Sequence, residues 1–356
     1  MSLKFIWHNK RISGILTVLP QQEIAFEEEI SNYNFSPAKS MKLKLAMGYN
    51  KHRIVEEGTN VSDLAVFGIN YLFDNGLLKR EDVSALILMT QSPEHFMPPT
   101  SNIIHGKLGL SSDVLCLDIN QGCAAFIIGL LEAYMLLDQP DIKKVLLINA
   151  EVLSRKASKR DRNSYPLAGD AACLTVVERS ETPETIHAVV NMDGKGAYAL
   201  QIPAGGFKIP CSPETAEMKE DENGNFRSLE NLVMKGDEVF NFVQTKVPPM
   251  IEELLKIAGK TTDEIDYYLF HQPNKFMLNK LADKLGVPRE KMPSNIVENF
   301  GNASGATIPT AVSFNLGDKA LTRSYEVCFS GFGVGLTWAA IVQKLEKMEF
   351  NQIIYY

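Results

Sequence analysis

Val83-Ser84-Ala85-Leu86-Ile87-Leu88-Met89-Thr90-Gln91 and Ile265-Asp266-Tyr267-Tyr268-Leu269-Phe270-His271-Gln272 are two apolar runs of strand length, each finishing on a polar pair that ends in glutamine. Apolar runs this short, bounded by polar residues, read as buried strands. Their surroundings match as well. A helical run, Val61 to Leu78, leads into the first through Lys79-Arg80-Glu81-Asp82, and another, Gly236 to Ala258, leads into the second through Thr262-Asp263-Glu264. Behind each strand comes a helical run closing on Lys-Leu-Gly, at Lys107 to Gly109 and at Lys284 to Gly286, and then a loop of small polar residues. A repeat of such long period marks a duplicated chain. The predicted halves are residues 1–180 and 181–356. Further strands are expected at Val114 to Ile119, Lys144 to Ala150, Cys173 to Val177, His187 to Met192, Tyr325 to Phe329 and Leu336 to Val342. Helical runs alternate with them, which gives an α/β fold of mixed or parallel sheets covered by helices. Ile209 to Glu230, rich in Pro, Glu, Asp, Asn and Ser, breaks the second half without periodicity and reads as a surface insertion.

Composition narrows the function. With 356 residues, 45% of them hydrophobic and 22% charged, the chain can bury two ordinary cores. No window approaches the roughly 18 apolar residues of a membrane helix, and the first residues lack the basic-then-apolar order of a secretory signal, so a cytoplasmic protein without membrane insertion is expected. A net charge of −7 argues against nucleic acid, which demands a dominant basic surface. Five scattered cysteines and six histidines without i, i+4 pairing predict neither a disulfide framework nor a metal site.

Val114 to Ile119 runs through the turn Asn120-Gln121-Gly122 into a helical pattern starting at Cys123. A cysteine at a helix N-terminus meets unpaired N–H groups and the positive end of the dipole, which can draw its thiol below the ordinary value of about 8.5. The same N–H groups can hold an oxyanion when a thioester carbonyl is attacked. A small residue filling a tight turn would give the same local pattern. His271 ends a strand, where sites of α/β sheets gather, although a hydrogen-bonded histidine at a sheet end looks no different. Asn302, in Gly301-Asn302-Ala303-Ser304, precedes a helical run and fits a cap equally well. Together the three supply what a decarboxylating condensation needs. Cys123 takes an acyl group as a thioester, while His271 and Asn302 donate hydrogen bonds to the enolate formed as CO2 leaves. The glycine-rich Ser330-Gly331-Phe332-Gly333-Val334-Gly335 allows close backbone approach but lacks the context of a dinucleotide fingerprint.

Asp118 to Phe126, Ala150 to Ser154, Asp161-Arg162, Gly169-Asp170, Pro203 to Gly206, Met234 to Phe240, His271 to Asn274, Gly301 to Ser304 and Gly331 to Trp338 resemble, in order, the β-ketoacyl-acyl-carrier-protein synthase III family of the thiolase superfamily. The resemblance covers nearly the whole chain. It implies a thiolase-like five-layered αβαβα homodimer, with Cys123, His271 and Asn302 as the catalytic triad and the backbone N–H of Val334 joining that of Cys123 in the oxyanion hole. It implies acyl transfer to Cys123 from a coenzyme A or acyl-carrier-protein thioester. Decarboxylative condensation with malonyl-carrier protein would follow, in fatty-acid or specialised acyl-chain biosynthesis, with no cofactor beyond the thioester substrates. Met97 and Phe332 fall at substrate-pocket positions, Met97 where a dimer contact often floors the acyl pocket, and Lys275 is the basic residue nearest the carrier-docking position. Ser36 to Ile54 lacks the family's adenine-stacking tryptophan and keeps a basic cluster, Lys51-His52-Arg53. Gly169-Asp170-Ala171 replaces Gly-Asp-Gly.

A non-enzymatic thiolase-fold scaffold binding an acyl-carrier protein would lack at least one of Cys123, His271 and Asn302, and all three are present. A thiolase would need a second cysteine, for which Cys328 lies about one residue out of register. A hydroxymethylglutaryl-type or head-to-head condensing enzyme would need a glutamate base, for which Glu94 is the evident candidate. An acyltransferase with a non-malonyl acceptor has less need of Asn302. A papain-like protease would carry a cysteine signature absent here.

Overall fold

The computed structural model describes residues 2–356. Its sheets are built from strands β1 (Leu3–His8), β2 (Lys10–Leu19), β3 (Val83–Met89), β4 (Leu115–Ile119), β5 (Lys144–Glu151), β6 (Ala171–Arg179), β7 (Thr185–Met192), β8 (Tyr267–Phe270), β9 (Tyr325–Gly333), β10 (Thr337–Leu345) and β11 (Phe350–Tyr355). One sheet has the order β11-β2-β6-β5-β3-β4 and the other β1-β7-β10-β9-β8. The duplication is visible in the pairings: β3 lies parallel to β5, which is antiparallel to β6, and β8 lies parallel to β9, which is antiparallel to β10. The two sheets exchange end strands. β1 pairs with β7 of the second sheet and β11 with β2 of the first, so sheet membership does not follow a cut at residue 180.

The principal helices are α1 (Pro37–Met47), α2 (Val61–Asp74), α3 (Thr100–Leu108), α4 (Ala125–Leu136), α5 (Gly236–Ala258), α6 (Lys275–Leu285) and α7 (Thr307–Leu316). Strand periodicity sorts the core into layers. Ala85, Ile87 and Met89 of β3 face a central core with α4 and α7, whereas Leu86 and Leu88 face α2 and α3. Likewise Leu269 of β8 points to the centre, and Tyr268 and Phe270 pack under α5 and α6. Helix α4, Ala-Phe-Ile-Ile-Gly-Leu-Leu-Glu-Ala-Tyr-Met-Leu, is apolar nearly all round because it has a sheet on both sides. The result is a five-layered αβαβα sandwich, as the duplication and the resemblance predict.

Helices α3 and α6 both end on a left-handed glycine, Gly109 and Gly286, the two Lys-Leu-Gly closures of the repeat. The run expected to reach Leu78 stops at Asp74, where Leu77 and Leu78 turn back to donate to the Leu72 carbonyl. The 209–230 insertion contains a small hairpin, Lys219–Glu220 with Phe226–Arg227. Arg227 anchors it to the buried Asp161 carboxylate at 3.0 Å.

Candidate active site

The C-terminal ends of β3, β5 and β8 and the N-terminal ends of α4 and α7 converge at the seam between the halves. Cys123 sits in a 3-10 turn, Gly122–Ala124, that feeds directly into α4. Its neighbours are packed so closely that glycine is required: a Cβ on Gly333 would lie 2.6 Å from Cys123 Sγ, and one on Gly122 would run into Val334 Cγ1. The thiol differs from the sequence-based expectation. Burial pushes its pKa up from the ordinary value, and hydrogen bonds from the Val334 N–H, the Ser304 hydroxyl and its own N–H offset only part of that rise. A helix N-terminus favours the thiolate, but at 9% exposure the loss of hydration opposes it more strongly. The Val334 and Cys123 N–H groups nevertheless both favour the thiolate.

His271 continues β8, donating its N–H to the Ser330 carbonyl at 2.8 Å. Its Nδ1 lies 2.8 Å from Thr307 Oγ1, and Phe332 packs edge-on against the ring. Burial lowers its pKa to about 4, so the imidazole is neutral at physiological pH. Asn302 is clamped by its backbone, donating N–H to Leu167 O at 2.7 Å and accepting from Gly169 N at 3.3 Å. Its Oδ1 accepts the Ser304 N–H at 2.9 Å, which leaves the amide hydrogens for the site.

Two cavities meet at these residues. One, about 670 Å³, is lined by Cys123, Asn302, Ser304 and Val334 together with Leu153, Leu232 and Leu336. The other, about 430 Å³, is lined by Cys123, His271, Asn302 and Phe332 together with Asp237 and Phe276. Cys123 and Asn302 belong to both, as do Leu167, Leu200 and Met234. A thiol at the junction of two compartments, beside a neutral imidazole and a carboxamide, suits a reaction in which two acyl thioesters meet.

Two family models match, 3-oxoacyl-[acyl-carrier-protein] synthase III at residues 117–194 and its C-terminal part at residues 255–345. A β-ketoacyl-[acyl-carrier-protein] synthase III of Clostridium perfringens is 32% identical over 83% of this chain and 88% of its own. The chain belongs to the 3-oxoacyl-[acyl-carrier-protein] synthase III family. It is an acyl-transferring condensing enzyme. A crystal structure of a 3-oxoacyl-(acyl-carrier protein) synthase from Burkholderia xenovorans superposes with a TM-score of 0.92 at 31% identity, covering 100% of this chain and 99% of that one. A synthase III from Aquifex aeolicus superposes at 0.78 and 26% identity, over 94% of this chain and 99% of that one.

The remaining sequence candidates of the synthase spread out. Val334 and Phe332 line the cavities, one each. Met97 is 80% exposed and lines neither cavity of its own chain. Lys275 pairs with Glu298 at 3.0 Å. The basic cluster is not a free cationic surface: Lys51 and Arg53 both pair with Glu23, and His52 is buried between Glu29 and the Ala168 carbonyl. Cys328 is buried in the outer core with Tyr268 and Phe270, away from Cys123, so it cannot serve as a thiolase base. Glu94 lies outside both cavities. Among the described residues no cluster could hold a metal and no helix is long and apolar enough to cross a membrane.

Residues without a role in the sequence reading also shape the site. Gln91, the first-half counterpart of Gln272, lines the larger cavity and lies against Gly122 and the Ser304 hydroxyl. Glu151 is buried beneath it, accepting the Gln91 N–H and the Ser92 hydroxyl, and burial raises its pKa to about 8. Thr307 braces His271. The repeat pointed to Gln91; nothing in the sequence separates Thr307 from the other threonines.

Proposed function

We propose that Cys123, His271 and Asn302 carry out a two-step condensation, an assignment supported above all by the position of Cys123 and Asn302 at the junction of the two cavities. In the first step Cys123 Sγ adds to the carbonyl carbon of an acyl thioester. The oxyanion is held by the N–H groups of Cys123 and Val334. The donor C–S bond then breaks, and the thiol proton ends on the departing thiol. The acyl chain occupies the larger, mainly apolar cavity.

In the second step a malonyl thioester enters beside His271. Its carboxylate leaves as CO2, and the electron pair of the broken C–C bond becomes an enolate whose oxygen accepts hydrogen bonds from His271 Nε2–H and the Asn302 amide. A neutral imidazole suits this donor role. The carbanion attacks acyl-Cys123, the thiolate leaves, and a 3-oxoacyl thioester is released. The acceptor is malonyl-carrier protein and the first donor is an acyl-coenzyme A or acyl-carrier-protein thioester; the carrier protein in the names of the relatives supports a carrier-bound partner. We place the enzyme in the cytoplasm as a cofactor-free homodimer. The exposed apolar loop at Phe96 and Met97, with Phe96 against the 88% exposed Phe207, supports a second copy covering that face.

Intact-protein mass spectrometry after incubation with a panel of acyl thioesters tests the reading. The expected result is an adduct absent from Cys123→Ala and discharged by malonyl-carrier protein. An adduct that malonyl-carrier protein never discharges would transfer the acyl group to another acceptor, and no adduct with any donor would remove Cys123 as nucleophile.

A further inference from the structure

His271 lines the smaller cavity, and its Nδ1 is turned away to Thr307 Oγ1 at 2.8 Å. Because burial keeps the ring neutral, it carries one N–H proton. Whether Nε2 donates or accepts in the cavity therefore depends on what Nδ1 is bonded to.

Thr307 is 1% exposed and begins α7. Its hydroxyl oxygen accepts the Gln272 N–H at 3.2 Å, its hydroxyl is in place to donate to the Ser304 carbonyl at 2.8 Å, and Nδ1 lies at 2.8 Å as the rival acceptor. One hydroxyl hydrogen faces two acceptors. The Ser304 carbonyl already accepts the backbone N–H of Thr307 and does not depend on the hydroxyl. Nδ1 has no other donor.

We propose that Thr307 is a positioning residue that sets the tautomer of His271, its hydroxyl donating to Nδ1 so that the ring presents Nε2–H to the cavity. The inference rests on the reading above, in which that hydrogen bonds the enolate oxygen. No proton is transferred: the C–C bond breaks, CO2 leaves, and Nε2 keeps its hydrogen. With the hydroxyl turned to Ser304, Nδ1–H would donate to Oγ1 and a lone pair on Nε2 would face the developing negative charge.

Thr307→Val keeps the shape and removes the hydroxyl. The Ser304 carbonyl, also in reach of the ring, is then the acceptor left for Nδ1, and it fixes the tautomer whose Nε2 has no hydrogen. Two rates are measured on the full-length protein: acyl-Cys123 formation by mass spectrometry, and CO2 release from malonyl-carrier protein by the acylated enzyme. For Thr307→Val the first stays within about threefold of wild type and the second falls about 100-fold, the loss typical of one oxyanion donor. Thr307→Ser recovers most of it.

Acid supplies a readout that a structural role would not move. Protonation gives the Val variant an Nε2–H, and with a ring pKa of about 4 its CO2 release relative to wild type rises about tenfold between pH 7 and pH 5. Cys123 and Asp237 line the same cavity and Lys275 begins α6 beside it, but Cys123 is acylated in the assay and the other two are common to both proteins. Undiminished CO2 release in Thr307→Val, or an equal loss of both rates with a pH-independent ratio, overturns the inference. If His271→Ala itself releases CO2 like wild type, the donor role of His271 is wrong and the tautomer assignment falls with it.

Discussion

Replacing Gly333 by alanine should disable the nucleophile through contact alone. The added methyl carbon would lie 2.6 Å from Cys123 Sγ and 2.7 Å from its Cβ, whereas an ordinary contact is 3.4–4 Å. Something must move by roughly 1 Å, as overpacking requires. The strand holding Gly333 cannot retreat, because β9 is hydrogen-bonded to β10 along its whole length. The sulfur therefore leaves the line of the Val334 N–H. A displacement of about 1 Å costs on the order of 100-fold in rate, close to 2.7 kcal/mol of barrier, and overpacking costs a further ~1–3 kcal/mol of stability. The assay is the rate of acyl-Cys123 formation at saturating acyl-coenzyme A, with the urea midpoint measured on the same preparation. Gly106→Ala is the matched control: it lies in α3 with nothing within 4 Å of the new methyl group, so it should retain full activity and gain about 0.5–1 kcal/mol. Acylation of Gly333→Ala at the wild-type rate would show that the sulfur does not rest against this strand.

Asn302→Ala removes one of the two proposed enolate donors and should reduce CO2 release from malonyl-carrier protein about 100-fold while leaving acyl-Cys123 formation nearly intact; equal losses in both steps would refute that division. His271, with a folded-state pKa of about 4 against an ordinary 6.5, takes up its proton in the unfolded chain first. Its contribution to stability is complete above pH 6.5 and is lost as pH falls toward 4, a change of about 3 kcal/mol. Urea unfolding of wild type and His271→Asn at pH 7.5 and 5 should therefore show a smaller acid loss in the variant, and parallel losses would refute it. Arg227→Ala leaves the buried Asp161 carboxylate without its cation, at a cost on the order of 3 kcal/mol by chemical denaturation. Because Ser164 and Leu167 follow in the same loop and line the larger cavity, KM for the acyl donor should rise as well.

The repeated unit of the fold was legible because duplication repeats local signals: strand, polar pair, helix, glycine stop. The position of Cys123 was legible because a strand, a turn and a helix adjoin in sequence around it. The exchanged strands were not expected, since pairing of Phe350–Tyr355 with β2 is settled by contacts across nearly the whole chain, including Phe350 against Gly14 where a side chain would not fit. The Lys51-His52-Arg53 cluster reads as basic surface in one dimension, yet β-structure there alternates sides and turns His52 inward onto Glu29. Thr307 could not be singled out, because its partner lies 36 positions away and the distance between them is a property of α7 packing against β8. The thiol of Cys123 shows the same limit: helix position is local and legible, whereas burial depends on Gly333 and Val334 arriving from the end of the chain.

The exchanged end strands also bear on synthesis. A ribosome releases β2 early, but the strand that lies along its outer edge, β11, consists of residues 350–355. At about 5–20 residues per second, β2 waits roughly 15–70 s for that neighbour, with one edge of an apolar strand open to any other extended chain. The nascent first half thus keeps an open strand edge until residues 350–355 are made, and slowing the ribosome should lower the soluble yield of this protein more than that of one whose early sheet closes on itself.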